Sequence, residues 1–178
     1  MRSALLVIDV QQGLCEGDGK AFESAEVIAR INSVSAKARD APMPVVFIQH
    51  ESAQGYLEYA SREWQLAEGL QVEPHDLRIR KTTCDSFLRT PLQDMLVRMK
   101  VEHVVVCGMH TEFCVDTTTR QALALGYPVT LLADGHTSAG NAALTPSQVI
   151  AHHNATLTHI SSFGPRVQAI RCSDIQFT

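Results

Sequence analysis

Residues 104–135 read VVVCGMHTEFCVDTTTRQALALGYPVTLLADG, and the pattern of this segment indicates the fold class. It begins with a β-branched apolar run, passes through a polar turn into an amphipathic segment, and returns to a second apolar run at 129–133. Short continuous apolar runs are typical of strands that are buried on both faces. Gly126 follows the amphipathic segment, where glycine commonly ends a helix. The stretch therefore predicts strand, helix, strand, which is the repeating unit of a parallel sheet.

The same alternation extends over the rest of the chain. It predicts further strands at 5–10, 45–49, 77–80 and 167–170, and further helices at 21–39, 91–100 and from Thr145 to about His159. We therefore expect residues 1–178 to form one α/β domain, a Rossmann-like three-layer αβα arrangement with a central parallel sheet. Residues 50–76 are the least periodic part, and a long irregular connection of this kind often forms a lid or a pocket wall.

Composition excludes several classes of protein. A hydrophobic content of 45% and a net charge of −4 fit a folded domain and argue against a nucleic-acid partner, since phosphate binding needs clustered basic residues. No apolar run reaches the length of about eighteen residues that a membrane span needs. The first apolar run stops at Asp9, too early for a signal peptide. Five cysteines without metal-ligand spacing then predict free thiols in a reducing cytoplasm.

Three reactive side chains lie where predicted strands end. Asp9 follows the first strand, Lys81 follows the 77–80 run, and Cys114 lies in the turn after strand 104–108. Ligands of open α/β sheets bind at the carboxyl ends of the strands, so these residues are candidates for one catalytic site. We expect Cys114 to open a helix, where the dipole and a nearby lysine would lower the thiol pKa. Taken singly, each residue also has an ordinary reading: a buried thiol, a capping carboxylate and a solvated lysine.

Three segments resemble the isochorismatase-like cysteine hydrolase family. They are LLVIDVQQG at 5–13, RKTTCDSFLRTPL at 80–92, and the stretch at 104–135, in which GMHTEFCVDTT is the most specific part. The resemblance runs from about residue 3 to beyond 160. It implies the isochorismatase-like hydrolase fold, a soluble enzyme without a cofactor, and assembly as a homo-oligomer, a dimer or larger.

The resemblance also implies how the site works. Asp9, Lys81 and Cys114 would form the catalytic triad, with a cis peptide bond between Met109 and His110. The backbone N–H groups of His110 and Cys114 would form the oxyanion hole. Asp9 would take the thiol proton, Cys114 would attack the carbonyl carbon of a small-molecule amide, and water would hydrolyse the thioester that remains.

Four further residues are candidates for substrate binding. Gln11 lies two residues after Asp9, His50 follows the second strand, Trp64 lies in the irregular connection and Phe113 precedes the nucleophile. His50 and His75 lack a carboxylate at the spacing that a metal site of this family would show, so we expect no metal.

Three other functions stay open at this point. An isochorismatase-type ether hydrolase would keep the fold, although vinyl-ether hydrolysis needs no nucleophilic thiol. A small-molecule-binding protein without catalysis would also keep the fold. A thiol redox sensor would use Cys114 with Cys84 as its resolving cysteine.

Overall fold

The computed structural model describes residues 1–177. Its strands are β1 (Ser3–Ile8), β2 (Val45–His50), β3 (Leu77–Lys81), β4 (His103–Met109), β5 (Val129–Thr137) and β6 (Val167–Ile170). Its helices are α1 (Gln12–Cys15), α2 (Ser24–Asp40), α3 (Leu92–Arg98), α4 (Asp116–Ala124) and α5 (Pro146–His159), and a π-helical turn spans Thr111–Val115.

All six strands form one parallel sheet in the order β3-β2-β1-β4-β5-β6. Alternate residues of β1 point to opposite faces, so Leu5 packs in one apolar layer and Leu6 in the other. Helix α2 covers the first face, and helices α3, α4 and α5 cover the second. The predicted three-layer α/β fold is confirmed. Within residues 1–177, no helix is long and apolar enough to cross a membrane.

Several boundaries differ from the sequence prediction. The first strand ends at Ile8 rather than residue 10, because Asp9 has a left-handed backbone with φ of 50° that leaves the extended ladder. The short helix α1 was not predicted, since four residues are too few for a periodic signal. The fifth strand runs on to Thr137, because an irregularity lets three residues of β4 (Val106 to Gly108) face six of β5 (Leu131 to His136).

Gly108 sets the approach of β4 to β1. Its φ is 120°, and a Cβ atom at this position would lie 2.0 Å from the backbone oxygen of Ile8. Only glycine fits so close a contact with a positive φ. The carboxyl ends of the two central strands, from which Asp9 and the π-helical turn emerge, are thereby held side by side.

Candidate active site

The three predicted catalytic residues meet at the carboxyl edge of the sheet. The strand order reverses between β1 and β4, and a doubly wound sheet binds its ligands at such a switch point. Asp9 directly follows β1, Cys114 lies in the turn after β4, and Lys81 is the last residue of β3. All three side chains are buried, with exposed fractions of 1%, 8% and 2%. Residues distant in sequence thus share one sheltered site.

The Lys81 ammonium group is at the centre of this site. Its Nζ atom donates to Asp9 Oδ2 at 2.6 Å and lies 3.2 Å from Cys114 Sγ. It also donates to the backbone oxygen of Thr83 at 3.0 Å and lies 3.4 Å from His50 Nδ1. One buried cation therefore bridges the carboxylate and the sulfur. Burial alone would lower the pKa of Lys81, but the Asp9 carboxylate and Cys114 raise it above its ordinary value, so the amine stays charged.

The Cys114 thiol differs from the sequence expectation in two respects. Cys114 lies inside the π-helical turn rather than at the first position of helix α4, so it does not open that helix. Burial raises the pKa of the Cys114 thiol, and the neighbouring Asp9 carboxylate raises it further, while Lys81 only partly offsets the two. The expected lowering of this pKa is wrong, because desolvation outweighs the favourable charge. Cys114 therefore keeps its proton at rest.

The chain around the nucleophile has an unusual backbone. The peptide bond between Met109 and His110 is cis, as the resemblance implies. The N–H groups of Phe113 and Val115 both donate to the His110 carbonyl oxygen, at 3.1 and 3.2 Å, and this closes the turn. Burial lowers the pKa of His110, so its ring is neutral near Cys114. The roles of His110 and Cys114 as oxyanion-hole donors stay a prediction.

Gln11 is buried, and its side chain bonds to backbone groups. Its amide nitrogen donates to the carbonyl oxygens of His50 and Trp64 at 2.9 and 2.8 Å, and its amide oxygen accepts from the His50 N–H at 2.8 Å. These bonds tie the end of β1 to the end of β2 and to the irregular connection. Substrate binding by Gln11 stays a prediction. These bonds show that Gln11 also has a structural role, which its position in the sequence does not indicate.

The other predicted pocket residues lie at different depths. His50 is half-buried against Lys81, and burial lowers its pKa. Trp64 stacks edge-on with Tyr59 at 4.9 Å between ring centroids, and its indole Nε1 is buried without a partner within the described chain. Phe113 is 54% exposed, so its ring is available to a ligand. Their contribution to substrate binding stays a prediction.

A metal ion at this site would compete with the lysine. Ligand atoms of Asp9, His50 and Cys114 all lie within 4.8 Å of one another, and such a donor set suits Zn²⁺. Lys81 Nζ already contacts all three, at 2.6, 3.4 and 3.2 Å, so a metal would have to displace the ammonium group. Asp9, His50 and Cys114 therefore suit the Lys81 ammonium group better than a divalent metal ion.

A wide surface cavity of about 1120 Å³ lies at the opposite edge of the sheet. Its lining includes Ser3, His103 and Thr130, which begin or nearly begin their strands. The cavity is therefore remote from the carboxyl edge of the sheet, where Asp9, Lys81 and Cys114 converge. Its size alone does not make it the candidate active site.

Sequence reasoning missed two contributors to the site. The Thr83 carbonyl oxygen is a Lys81 partner, and a backbone atom leaves no mark in a sequence. Glu112 accepts a hydrogen bond from Ser138 at 2.7 Å and thereby links the nucleophile turn to the chain after β5. In the sequence, the one indication of this role of Glu112 is its position within the motif GMHTEFC.

Comparison with known proteins points to one family. The family model of the isochorismatase domain matches residues 3–162. A streptothricin hydrolase of Streptomyces noursei is 37% identical over 134 residues, which cover 75% of this chain and 49% of that protein. A ureidoacrylate amidohydrolase of Cronobacter sakazakii is 27% identical over 176 residues, with 78% of this chain and 76% of that protein covered.

A solved structure described as an isochorismatase family protein superposes with a TM-score of 0.85 at 35% identity. The superposition covers 94% of this chain and 98% of that one. The chain spans about half the length of the streptothricin hydrolases that it matches, 49% and 53%. The family model nevertheless covers most of the chain, and the chain belongs to the isochorismatase family of hydrolases.

Proposed function

We propose that the protein hydrolyses the C–N bond of a small-molecule amide, with Cys114 as nucleophile and a thioester intermediate. The observation that carries the proposal is the position of Lys81 Nζ, 2.6 Å from Asp9 Oδ2 and 3.2 Å from Cys114 Sγ. A base, a nucleophile and a fixed positive charge in mutual contact are what covalent acyl transfer requires.

The geometry supports a mechanism in two halves. Asp9 accepts the thiol proton as Cys114 Sγ attacks the carbonyl carbon, and Lys81 stabilises the negative charge as it forms. Asp9 then delivers that proton to the leaving nitrogen, so an amine or ammonia departs and an S-acyl bond to Cys114 remains. In the second half Asp9 takes a proton from water, which attacks the thioester and releases the acid. Asp9 then returns this proton to the departing Cys114 sulfur, which regenerates the thiol.

The raised pKa of Cys114 fits this order of events. A protonated thiol needs a base at the moment of attack, and the Asp9 side chain is in contact with the same ammonium group as Cys114. Binding of the substrate would exclude the remaining water from the site, and these charge interactions would then become stronger. Asp9 is therefore the base and then the acid in each half of the mechanism.

The named relatives support the substrate class. One relative is a ureidoacrylate amidohydrolase and another is a streptothricin hydrolase, so domains of this family occur in proteins named for amide hydrolysis and for hydrolysis generally. We extend only the chemical class to this chain: a small amide as substrate, released as an acid and an amine. Homo-oligomer formation belongs to the same proposal.

The test is release of ammonia from a panel of small primary amides. We expect turnover by the wild type and a loss of at least about a thousandfold in Cys114→Ala. Cys84→Ala is the matched control, because Cys84 is an exposed thiol in the same region, and it should keep full activity. A rapid acid quench of the wild type should show the mass of one acyl group on the peptide that contains Cys114.

Three outcomes would contradict the proposal. Full activity in Cys114→Ala would exclude the thiol as nucleophile. Equal losses in Cys114→Ala and Cys84→Ala would favour a redox role for the pair. Absence of turnover on every amide, with no acyl adduct, would exclude the substrate class.

A further inference from the structure

A buried hydrogen-bond chain reaches the nucleophile turn from the far side. Asn154 Nδ2 donates to the Ala133 carbonyl oxygen at 2.9 Å, and Asn154 Oδ1 lies 3.0 Å from His136 Nε2. His136 Nδ1 in turn lies 2.8 Å from Thr111 Oγ1. Thr111 and His136 are 0% and 1% exposed, so water does not compete for the bond between them, whereas Asn154 is half-buried. The chain connects helix α5 and strand β5 to the first residue of the turn that carries Cys114.

The direction of every bond in this chain is determined. Because the Asn154 amide nitrogen already donates to a carbonyl oxygen, its amide oxygen faces His136 and can only accept. His136 therefore carries its hydrogen on Nε2. Burial lowers the pKa of His136 to about 4, so the ring is neutral at neutral pH and Nδ1 is an acceptor. The Thr111 hydroxyl consequently donates its hydrogen to His136.

The irregularity of β5 is what brings His136 to this place. The three additional residues in β5 put His136 beside Gly108, immediately before the cis peptide and the turn. A threonine hydroxyl in a helical turn ordinarily bonds to a nearby backbone carbonyl and competes with the local structure. His136 offers Thr111 a fixed acceptor outside the turn instead, so its side chain has a single orientation.

We propose that His136, as the Nε2–H tautomer, is a positioning residue for the oxyanion hole and holds the turn from His110 to Cys114 through Thr111. The inference rests on the proposed function, because the turn presents the backbone N–H groups that would bind the oxyanion. Displacement of such donors by a fraction of an ångström weakens the transition state more than it weakens substrate binding. In this proposal His136 acts on the turn through its bond to Thr111.

Two substitutions separate positioning from simple packing. The amide oxygen of asparagine falls near the Nδ1 position of histidine, so His136→Asn keeps an acceptor for Thr111 and loses the bond to Asn154. The amide nitrogen of glutamine falls near Nε2, so His136→Gln keeps the bond to Asn154 and loses the acceptor for Thr111. Each leaves one buried polar group without a partner, and we expect similar melting temperatures for the two.

Kinetics on an amide that the wild type hydrolyses give the first readout. His136→Ala should lower kcat by about tenfold to a hundredfold with little change in KM. His136→Asn should restore kcat to within about threefold of the wild type, and His136→Gln should remain as slow as His136→Ala. Equal kcat in the asparagine and glutamine variants, or kcat that follows melting temperature, would overturn the inference.

Nuclear magnetic resonance gives a second readout that needs no substrate. The ring ¹⁵N shifts of His136 should show hydrogen on Nε2, and the backbone amide shifts of residues 110–115 should move in His136→Gln but not in His136→Asn. A hydrogen on Nδ1, or equal movement in both variants, would overturn the inference. A wild type without amide turnover would refute the proposed function, whereas these shifts would still decide the role of His136.

Discussion

Burial and the Lys81 charge act in opposite directions on the pKa of the Cys114 thiol. Desolvation and the Asp9 carboxylate raise its pKa, and the Lys81 ammonium lowers it by a smaller amount. The resting site is therefore a neutral thiol beside an ion pair, rather than a thiolate that waits for substrate. In the proposed mechanism, activation by Asp9 during attack would leave Cys114 unreactive toward small electrophiles until a carbonyl group is bound.

Alkylation of Cys114 by iodoacetamide should rise continuously with pH. Below the thiol pKa the thiolate fraction increases about tenfold for each pH unit, so the rate constant should climb from pH 7 to pH 9 without a plateau. Peptide mass spectrometry measures the rate at Cys114 separately from the other cysteines. A plateau near neutral pH would indicate a lowered pKa and would contradict the dominance of burial.

Replacement of Lys81 by methionine should destabilise the fold as well as abolish activity. Lys81 and Asp9 form a buried ion pair at 2.6 Å, and the substitution leaves the Asp9 carboxylate buried without its cation. Loss of one partner of such a pair costs about 3 kcal/mol of unfolding free energy. Urea unfolding measures the change, and Lys20→Met on the exposed surface is the control, with an expected effect within about 0.5 kcal/mol.

A second substitution checks the cause of that loss. Asp9→Asn in the Lys81→Met background removes the uncompensated charge and should recover part of the lost stability. Further loss in the double variant would mean that the methionine side chain, rather than the unpaired carboxylate, is responsible.

The contact between β1 and β4 determines whether the site can form. Both strands end at the switch point, and Gly108 lets β4 lie against the Ile8 carbonyl oxygen. Asp9 leaves β1 with φ of 50°, a sparsely populated conformation for a residue with a side chain. Strained backbone of this kind clusters at functional sites, and here it carries the carboxylate that we propose as the catalytic base.

Alanine at position 108 should separate these two strands. The added Cβ would lie 2.0 Å from a backbone oxygen, so we expect Gly108→Ala to lower the unfolding free energy by about 3 kcal/mol or more. Gly126→Ala is the matched control, because Gly126 also has a positive φ, 93°, but has open space around its Cβ position. That variant should lose about 1 kcal/mol. Similar losses in both would show that backbone strain alone matters at residue 108.

At the scale of the whole molecule, His136 couples stability to pH. Burial lowers its pKa from 6.5 to about 4 in the folded protein. The unfolded chain therefore binds a proton at His136 between these values and the folded protein does not. Stability consequently rises with pH from about 4 to about 6.5 and is fully present above that range.

The size of this effect should be about 3 kcal/mol between pH 4 and pH 7. Urea unfolding of the wild type and of His136→Asn across this range measures it, since asparagine does not titrate. The other buried histidines contribute equally to both proteins, so the difference in pH dependence isolates His136. Parallel curves for the two proteins would show that His136 is protonated as easily in the folded as in the unfolded state.

The sequence by itself determined the order of elements and the edge of the sheet at which the chemistry lies. Apolar periodicity is a local property, so strands and helices could be read from neighbouring residues. The carboxyl ends of parallel strands share one edge, so Asp9, Lys81 and Cys114 were expected together, and the structure places them in contact through one ammonium group. Family membership followed from motifs that lie within these same segments.

Only the tertiary structure decided what surrounds each of these groups. The raised pKa of Cys114, the backbone bonds of Gln11 and the link from His136 to Thr111 all depend on neighbours that the fold brings from distant parts of the chain. Sequence position shows which groups a residue has, but desolvation and hydrogen-bond partners are set by three-dimensional packing. For that reason the expected lowering of the Cys114 pKa was wrong.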